Sequence, residues 1–402
     1  MKDRIGLLVA LIVGLMAVAY ASAGIYSPSM PAIAQSLGAS VGEVQITFSG
    51  YVAAFAVGQL IYGPLSDRWG RRLPLLIGLS IYILGSAACA LATDVTTLTL
   101  ARIVQAIGGC AGPTLARAMV RDLFPRDQAA RVMSFVGMVM AIAPAFAPVA
   151  GGYLQVHFGW PSIFWALTLV GGLVLALNAY FLEETHVSPL RTTAGNLLQV
   201  WLAYPRLLRS VVFMGYSLNT GFSMASAFVY VAATPFVLIE LVGVAPDIYG
   251  WYAAIPTLFN FVGASISARL MTRLGGDRVV VLGATITAVG GLSMLGLALA
   301  GALSVATVIG PMCLISTGGS VMFSSSTQGA ISLFADRAGT ASSLNGFLQM
   351  LTAALATTAL GLIPQVDEMP MAYMVSGCAC SSLLALTLVW WGRRSSDRGV
   401  GS

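Results

Sequence analysis

Long apolar stretches recur from one end of this chain to the other, at 5–30, 44–65, 73–93, 95–119, 132–155, 161–182, 208–238, 247–270, 279–300, 303–333, 338–364 and 371–392. Each is long enough to cross ~30 Å of hydrocarbon. Lipid offers no partner to backbone amides and carbonyls, so such segments must satisfy themselves as helices. Of the 402 residues, 57% are hydrophobic and 9% charged. Soluble domains carry about 25% charged residues, and so few could not cover a water-facing surface of this size. The expected fold class is all-α integral membrane, with twelve spans. The first apolar run continues past Ala19-Tyr20-Ala21 to Pro28 and Pro31, which reads as a retained helix rather than a cleaved leader.

The basic residues follow the spans. With the N-terminus inside, 19 of the 20 fall on inner segments: Lys2, Arg4, Arg68, Arg71, Arg72, Arg117, Arg121, Arg126, Arg131, Arg191, Arg206, Arg209, Arg269, Arg273, Arg278, Arg337, Arg393, Arg394 and Arg398. Positive charge resists translocation. Both termini are therefore expected in the cytoplasm and the chain in the inner (plasma) membrane. The net charge of +5 reflects this topology and not a nucleic-acid surface. Five cysteines, at 89, 110, 313, 378 and 380, lie within apolar spans and read as small packing residues. No metal site, no cofactor and no catalytic constellation is expected: metal-ligand spacing, a nucleophile–base set and a P-loop are all missing from the sequence.

The polar segment 183–207 separates two sets of six spans, giving expected bundles at 1–182 and 208–402 with a cytoplasmic connection between them. A shift of 205 residues superposes the stretch from Gly58 to Arg72 on the stretch from Gly263 to Asp277, with Arg68 on Arg273, Gly70 on Gly275 and Gly78 on Gly283. Repeated halves are a common plan of secondary transporters.

Gly63-Pro64-Leu65-Ser66-Asp67-Arg68-Trp69-Gly70-Arg71-Arg72 resembles the loop 2–3 signature of the major facilitator superfamily. Gly70 permits a turn backbone, and Asp67 can face a helix N-terminus. The resemblance implies that this partner is the start of the eleventh helix, near Ala338-Gly339-Thr340, in a cytoplasmic gate formed by Gly63, Asp67, Arg68, Gly70, Arg71, Arg72 and Asp122. Asp122 is placed to pair with Arg68 or Arg71. Matches along most of the chain resemble the bicyclomycin/chloramphenicol-resistance (Bcr/CflA-like) branch of drug:proton antiporters. They include Gln59 to Pro64, Ala101 to Ala106, Ala116 to Phe124, Ala338 to Leu344 and Gln349. The stretch from Ala143 to Gly152, with Pro144, Pro148, Gly151 and Gly152, resembles the antiporter motif, with Ala147 where a glycine is usual. Prolines bend a lipid-embedded helix and small residues let neighbours approach closely.

Arg102 lies about 10 Å inside the fourth span at 1.5 Å per residue. A charge at such depth usually faces a cavity, and Gln105 shares its face. In the branch it resembles, the first helix carries an acid before a Tyr-x-Pro pattern. Here Gly24 holds that place, ahead of Tyr26-Ser27-Pro28. An uncompensated Arg102 favours neutral or anionic substrates over cations, and coupling either uses Glu43 or another acid near the outer rim or is weak. The expected cavity set is Arg102, Gln105, Tyr26, Gln59, Asn219, Asn345 and Gln349. The resemblance implies a secondary transporter exporting small drug-like or metabolite molecules by alternating access, with protons as the coupled partner. The alternative on the same fold is a facilitator or importer of a small polar metabolite, without proton coupling through the first helix.

Overall fold

The computed structural model describes residues 2–124, 132, 144–185, 204–334 and 338–399. Among these residues every regular element is helical. In chain order they are α1 (Lys2–Gly24), a 3-10 turn at Ser27–Ser29, α2 (Met30–Leu37), α3 (Val41–Trp69), α4 (Arg72–Ala90), α5 (Val95–Gly109), α6 (Ala111–Leu123), α7 (144–158) and α8 (Pro161–Phe181). A short helix α9 (204–208), α10 (Val211–Pro235), a π turn at Phe236–Leu241, α11 (Pro246–Leu274), α12 (Gly276–Leu299), α13 (Val305–Ser332), α14 (Ala338–Gly361) and α15 (Met369–Gly399) follow.

Each of the twelve expected spans coincides with helix, the fifth being described only as α7. Nine stretches among the described residues are long and apolar enough to cross a bilayer. The helices α11 and α14, of 29 and 24 residues, are long enough as well but more polar. Large apolar side chains stand outward, as in Leu84 (68% exposed), Leu169 (73%) and Trp391 (63%). Water would penalise such a surface; lipid does not. The connection at 183–207 lies largely outside the described residues, as do His186 and Arg191.

Breaks follow local chemistry. Proline cannot donate a helical hydrogen bond, and Pro28 and Pro31 sit at the starts of the 3-10 turn and of α2. The first expected span is therefore two helices joined by a tight turn. Pro235 is followed by the π turn, in which the Val242 amide donates to the Val237 carbonyl, five residues back. The fourth span is split at Cys110. The long span expected at 303–333 is one continuous helix despite Pro311.

By internal packing, residues 1–196 with 244–254 form one unit, and 197–243 with 255–402 form a second. The helix α11 thus passes from the first unit to the second beside Pro256.

The internal repeat has a structural counterpart. The helices α3 and α11 are both 29 residues long and begin and end 205 positions apart. Each is followed by one glycine in the left-handed region, Gly70 (φ 85°) and Gly275 (φ 78°), a conformation L side chains resist. In the first unit a methyl on Gly78 would strike Ala111 of α6, and in the second a methyl on Gly283 would lie 2.6 Å from the Gly318 carbonyl of α13. Glycine at both places lets the neighbouring helix approach closely.

Candidate functional site

In the first unit the polar groups converge on Arg102. Asp94 caps α5, its carboxylate accepting the Thr97 amide at 2.8 Å, so the helix starts at a fixed point and carries Arg102 into the interior. Arg102 is fully buried. Its Nη1 donates to Gln105 Oε1 at 2.7 Å, as residues three apart on a helix can. Gln105 Nε2 donates to Ser86 Oγ at 2.8 Å, and Ser86 Oγ donates to the Tyr82 carbonyl at 2.8 Å. This chain spans α5 and α4, which approach closely because a side chain on Gly85 would strike the Gln105 amide and one on Gly108 the Tyr82 amide.

The break after α1 brings Tyr26 to the same place. The Arg102 guanidinium carbon lies 4.5 Å from the Tyr26 ring centre, 4.0 Å from that of Tyr51 and 5.9 Å from that of Phe164. A cation is attracted to aromatic faces at these distances. Tyr26 donates its hydroxyl to Thr47 Oγ1 at 2.6 Å, because the Thr47 hydrogen is committed to the Val44 carbonyl. Tyr82 likewise donates to Ser22 Oγ at 2.7 Å, since Ser22 donates to the Val18 carbonyl. Arg102 Nε and Nη2 have no partner. The positive charge is met by ring faces and one amide oxygen.

Gly24 does not point at this cluster first. A Cβ there would meet Ala147 Cβ at 3.1 Å, Pro148 Cδ at 3.4 Å and the Pro144 carbonyl at 3.5 Å, all on α7. The two departures from the family pattern, Gly24 and Ala147, are therefore packed against each other. Glu43, considered as a coupling acid, accepts the Ser40 amide and hydroxyl at 2.8 Å each in the capping box of α3.

The remaining expected cavity residues are elsewhere. Gln59 is buried on α3, apart from the Arg102 chain of hydrogen bonds. In the second unit, Asn219 Nδ2 donates to the Ser382 carbonyl at 2.8 Å and its Oδ1 accepts from Ser326 Oγ at 3.0 Å. Gln349 Nε2 donates to Thr220 Oγ1 at 3.0 Å. Asn345 is buried with its Oδ1 unpartnered. Asn219 and Gln349 thus bind helices together.

The loop after α3 is held from two sides. Arg71 donates through Nη1 to Asp67 Oδ1 (2.5 Å) and Ser66 Oγ (2.6 Å), and through Nε to Asp122 Oδ2 (2.8 Å). Arg71, not Arg68, is therefore the partner of Asp122, and Arg68 is exposed. Ser66 Oγ donates in turn to the Gly63 carbonyl. Glu184 accepts the Arg71 and Arg72 amides at 2.8 and 3.2 Å, capping α4, where a negative charge is favoured. Its carboxylate occupies the space a side chain at Gly70 would need. Arg72 Nη2 donates to the Ala179 carbonyl of α8. The start of α12 mirrors this with reversed charges: Asp277 accepts from Arg393 Nη1 (2.5 Å) and from the Tyr216 hydroxyl (2.6 Å).

On α7, a methyl at Gly151 would strike the Ile25 carbonyl and one at Gly152 the Pro246 carbonyl; one at Gly250 would lie 2.6 Å from the Pro148 carbonyl. Beside them the Ser27 and Tyr249 hydroxyls share a hydrogen bond of 2.8 Å. All of these residues belong to the first unit.

Sequence reasoning passed over Tyr82, Ser86, Phe164 and Glu184. The first two had a signal, lying four apart on a helix whose glycines, 78 and 85, mark a close-packing face. Glu184 and Phe164 had none, their partners being distant in the chain.

A bundle of long lipid-facing helices around buried, mutually bonded polar groups defines a multi-pass membrane protein of the carrier type. The family model described as Major Facilitator Superfamily matches residues 12–357, and the chain belongs to that family. It is 33% identical over 387 residues to the "Uncharacterized MFS-type transporter YdgK" of Bacillus subtilis (strain 168), covering 92% of each chain. It is 30% identical over 372 residues to the "Bicyclomycin resistance protein homolog" of Haemophilus influenzae (strain ATCC 51907 / DSM 11121 / KW20 / Rd), covering 90% of each. With "Multidrug resistance protein D" of Escherichia coli (strain K12) the identity is 27% over 362 residues, again covering 90% of each. Among solved structures, a crystal structure of the D-xylose-proton symporter superposes with a TM-score of 0.75 over 96% of this chain and 97% of that one, at 15% identity, a likeness of fold.

Proposed function

We propose that this chain is a secondary active exporter of small drug-like or metabolite molecules, working by alternating access in the inner (plasma) membrane with both termini cytoplasmic. The observation that carries the reading is the near full-length similarity to proteins named for bicyclomycin and multidrug resistance. The one-sided arginines support the orientation. Transported molecules are neutral or anionic, because Arg102 is a buried cation with no carboxylate beside it among the described residues. Proton coupling is implied by the branch the sequence resembles, yet the first helix offers no acid at Gly24. Glu43 is engaged in its capping box. The Thr97 hydroxyl and amide hold the Asp94 carboxyl below the usual carboxylate range, so it stays ionised near neutrality.

The test is expression in cells lacking their own pumps, with drug accumulation followed before and after collapse of the proton gradient. Lower accumulation of neutral or anionic compounds, reversed by the uncoupler, is the expected result. Unchanged accumulation of every compound refutes export. Export that persists without the gradient refutes coupling, and lipophilic cations as best substrates refute the charge preference. Labelling of a cysteine placed in 66–73 from outside the cell would overturn the orientation.

A further inference from the structure

The bonding of Arg102 is incomplete in a specific way. Of the guanidinium nitrogens, Nη1 is committed to Gln105, while Nε and Nη2 are buried and without a partner. Those two nitrogens form one edge of the planar group, with an N–H from each pointing outward in parallel. That fork matches the two oxygens of a carboxylate. Buried donors left unmade are costly, and more so on a charged group. Such an edge, unmatched by any protein acceptor, can donate two hydrogen bonds to a ligand.

The edge is also held in place. Gln105 fixes Nη1 and is itself fixed by Ser86, which is tied to the Tyr82 backbone. Tyr26 and Tyr51 lie against the guanidinium. The fork therefore needs little ordering when a ligand arrives, and preorganisation of this kind raises affinity.

We infer that the Nε–Nη2 edge of Arg102 receives one carboxylate, carried by a transported molecule and held by two parallel hydrogen bonds. The inference rests on the export reading and narrows it from neutral or anionic compounds to carboxylates. Charge balance selects a monoanion: a phosphonate dianion would bring two charges to a single cation. Because Arg102 is fully buried, the carboxylate is engaged in an occluded state and shielded from competing water, where a charge-assisted pair discriminates most sharply.

The experiment compares matched acids and amides on the purified full-length protein by isothermal titration: benzoate against benzamide, indole-3-acetate against indole-3-acetamide, with phenylphosphonate as the dianion. Each acid should bind at least about tenfold more tightly than its amide, the worth of one hydrogen bond to a charged group, because the amide oxygen still accepts from one N–H of the fork. Arg102→Lys keeps the charge but not the fork, and should cut the preference to about threefold or less. The wild-type comparison needs no variant, so a poorly folded Arg102→Lys would not spoil the test. Acids and amides that bind alike, or no binding by any acid, overturn the inference, as does a Lys variant that keeps the full preference. Phenylphosphonate binding more tightly than benzoate overturns the single-carboxylate assignment. Drug export in pump-deficient cells is read separately. Export without acid preference removes the fork and leaves the exporter; acid preference without export of any compound does the reverse.

Discussion

Replacing Gly24 with alanine sets helix propensity against packing, and the structure decides which wins. Alanine in place of glycine favours a helix by roughly 0.5–1 kcal/mol. Against this, the new Cβ would stand 3.1 Å from Ala147 Cβ, inside the ordinary carbon–carbon separation of ~3.5–4.0 Å, with Pro148 Cδ at its edge at 3.4 Å. Overpacking of this kind costs typically about 1–3 kcal/mol, and α7 has little room to yield, since Gly151 already lies against the Ile25 carbonyl. The net expectation is a loss centred at about 1 kcal/mol and reaching about 2.5 kcal/mol. Ala147→Gly removes the opposing methyl, so the double variant should recover most of that loss, with a coupling of about 1 kcal/mol or more between the two sites. Thermal unfolding of the purified wild type, both single variants and the double variant closes the cycle. Additive effects, or Gly24→Ala more stable than wild type, would refute the proposed contact. Gly24→Asp should be worse than Gly24→Ala, because it adds a carboxyl against an apolar neighbour, and Ala147→Gly should rescue it only in part.

Gly108→Ala should be more damaging, because its Cβ would collide with the backbone amide of Tyr82, which cannot swing aside. Loss of more than about 3 kcal/mol, or no folded protein on size exclusion, is expected from overpacking against backbone. In the gate loop, Asp122→Asn should destabilise more than Asp67→Asn. The Asp122 side chain is 24% exposed and that of Asp67 59%, and exposed ion pairs contribute at most about 1 kcal/mol; paired unfolding curves check the order. Tyr216→Phe removes the hydroxyl that donates to Asp277 and accepts from Arg393 Nη2. A loss of about 1 kcal/mol is expected for that bridge, and Asp277→Asn in the Phe background should then cost less than it does alone.

The sequence was most legible where the physics is local. Span lengths and the paired glycines 70 and 275 depend on residues near one another in the chain, and α3 and α11 match the repeat at both ends. The Arg102–Gln105 bond was readable for the same reason, as three residues on a helix fix a shared face. The tight break at Tyr26-Ser27-Pro28, where one continuous span was expected, follows from the donor that proline removes.

Which partner each of these local features meets was a different matter, because it depends on how each helix is rotated about its axis. In a membrane that rotation is set by packing against neighbours rather than by hydropathy. Gly24 and Arg102 lie at similar depth by residue count, yet the empty side of Gly24 faces α7 while Arg102 lies against Tyr26, Tyr51 and Phe164. Glu184 caps a helix more than a hundred positions away, and Asn219 is bonded to Ser382 rather than left open to a ligand. The sequence alone determined that the chain is a repeated bundle of membrane helices with a cation, Arg102, inside the fourth span. Only the tertiary structure decided that this cation keeps one edge unpaired, because helix rotation chooses which donors meet an acceptor.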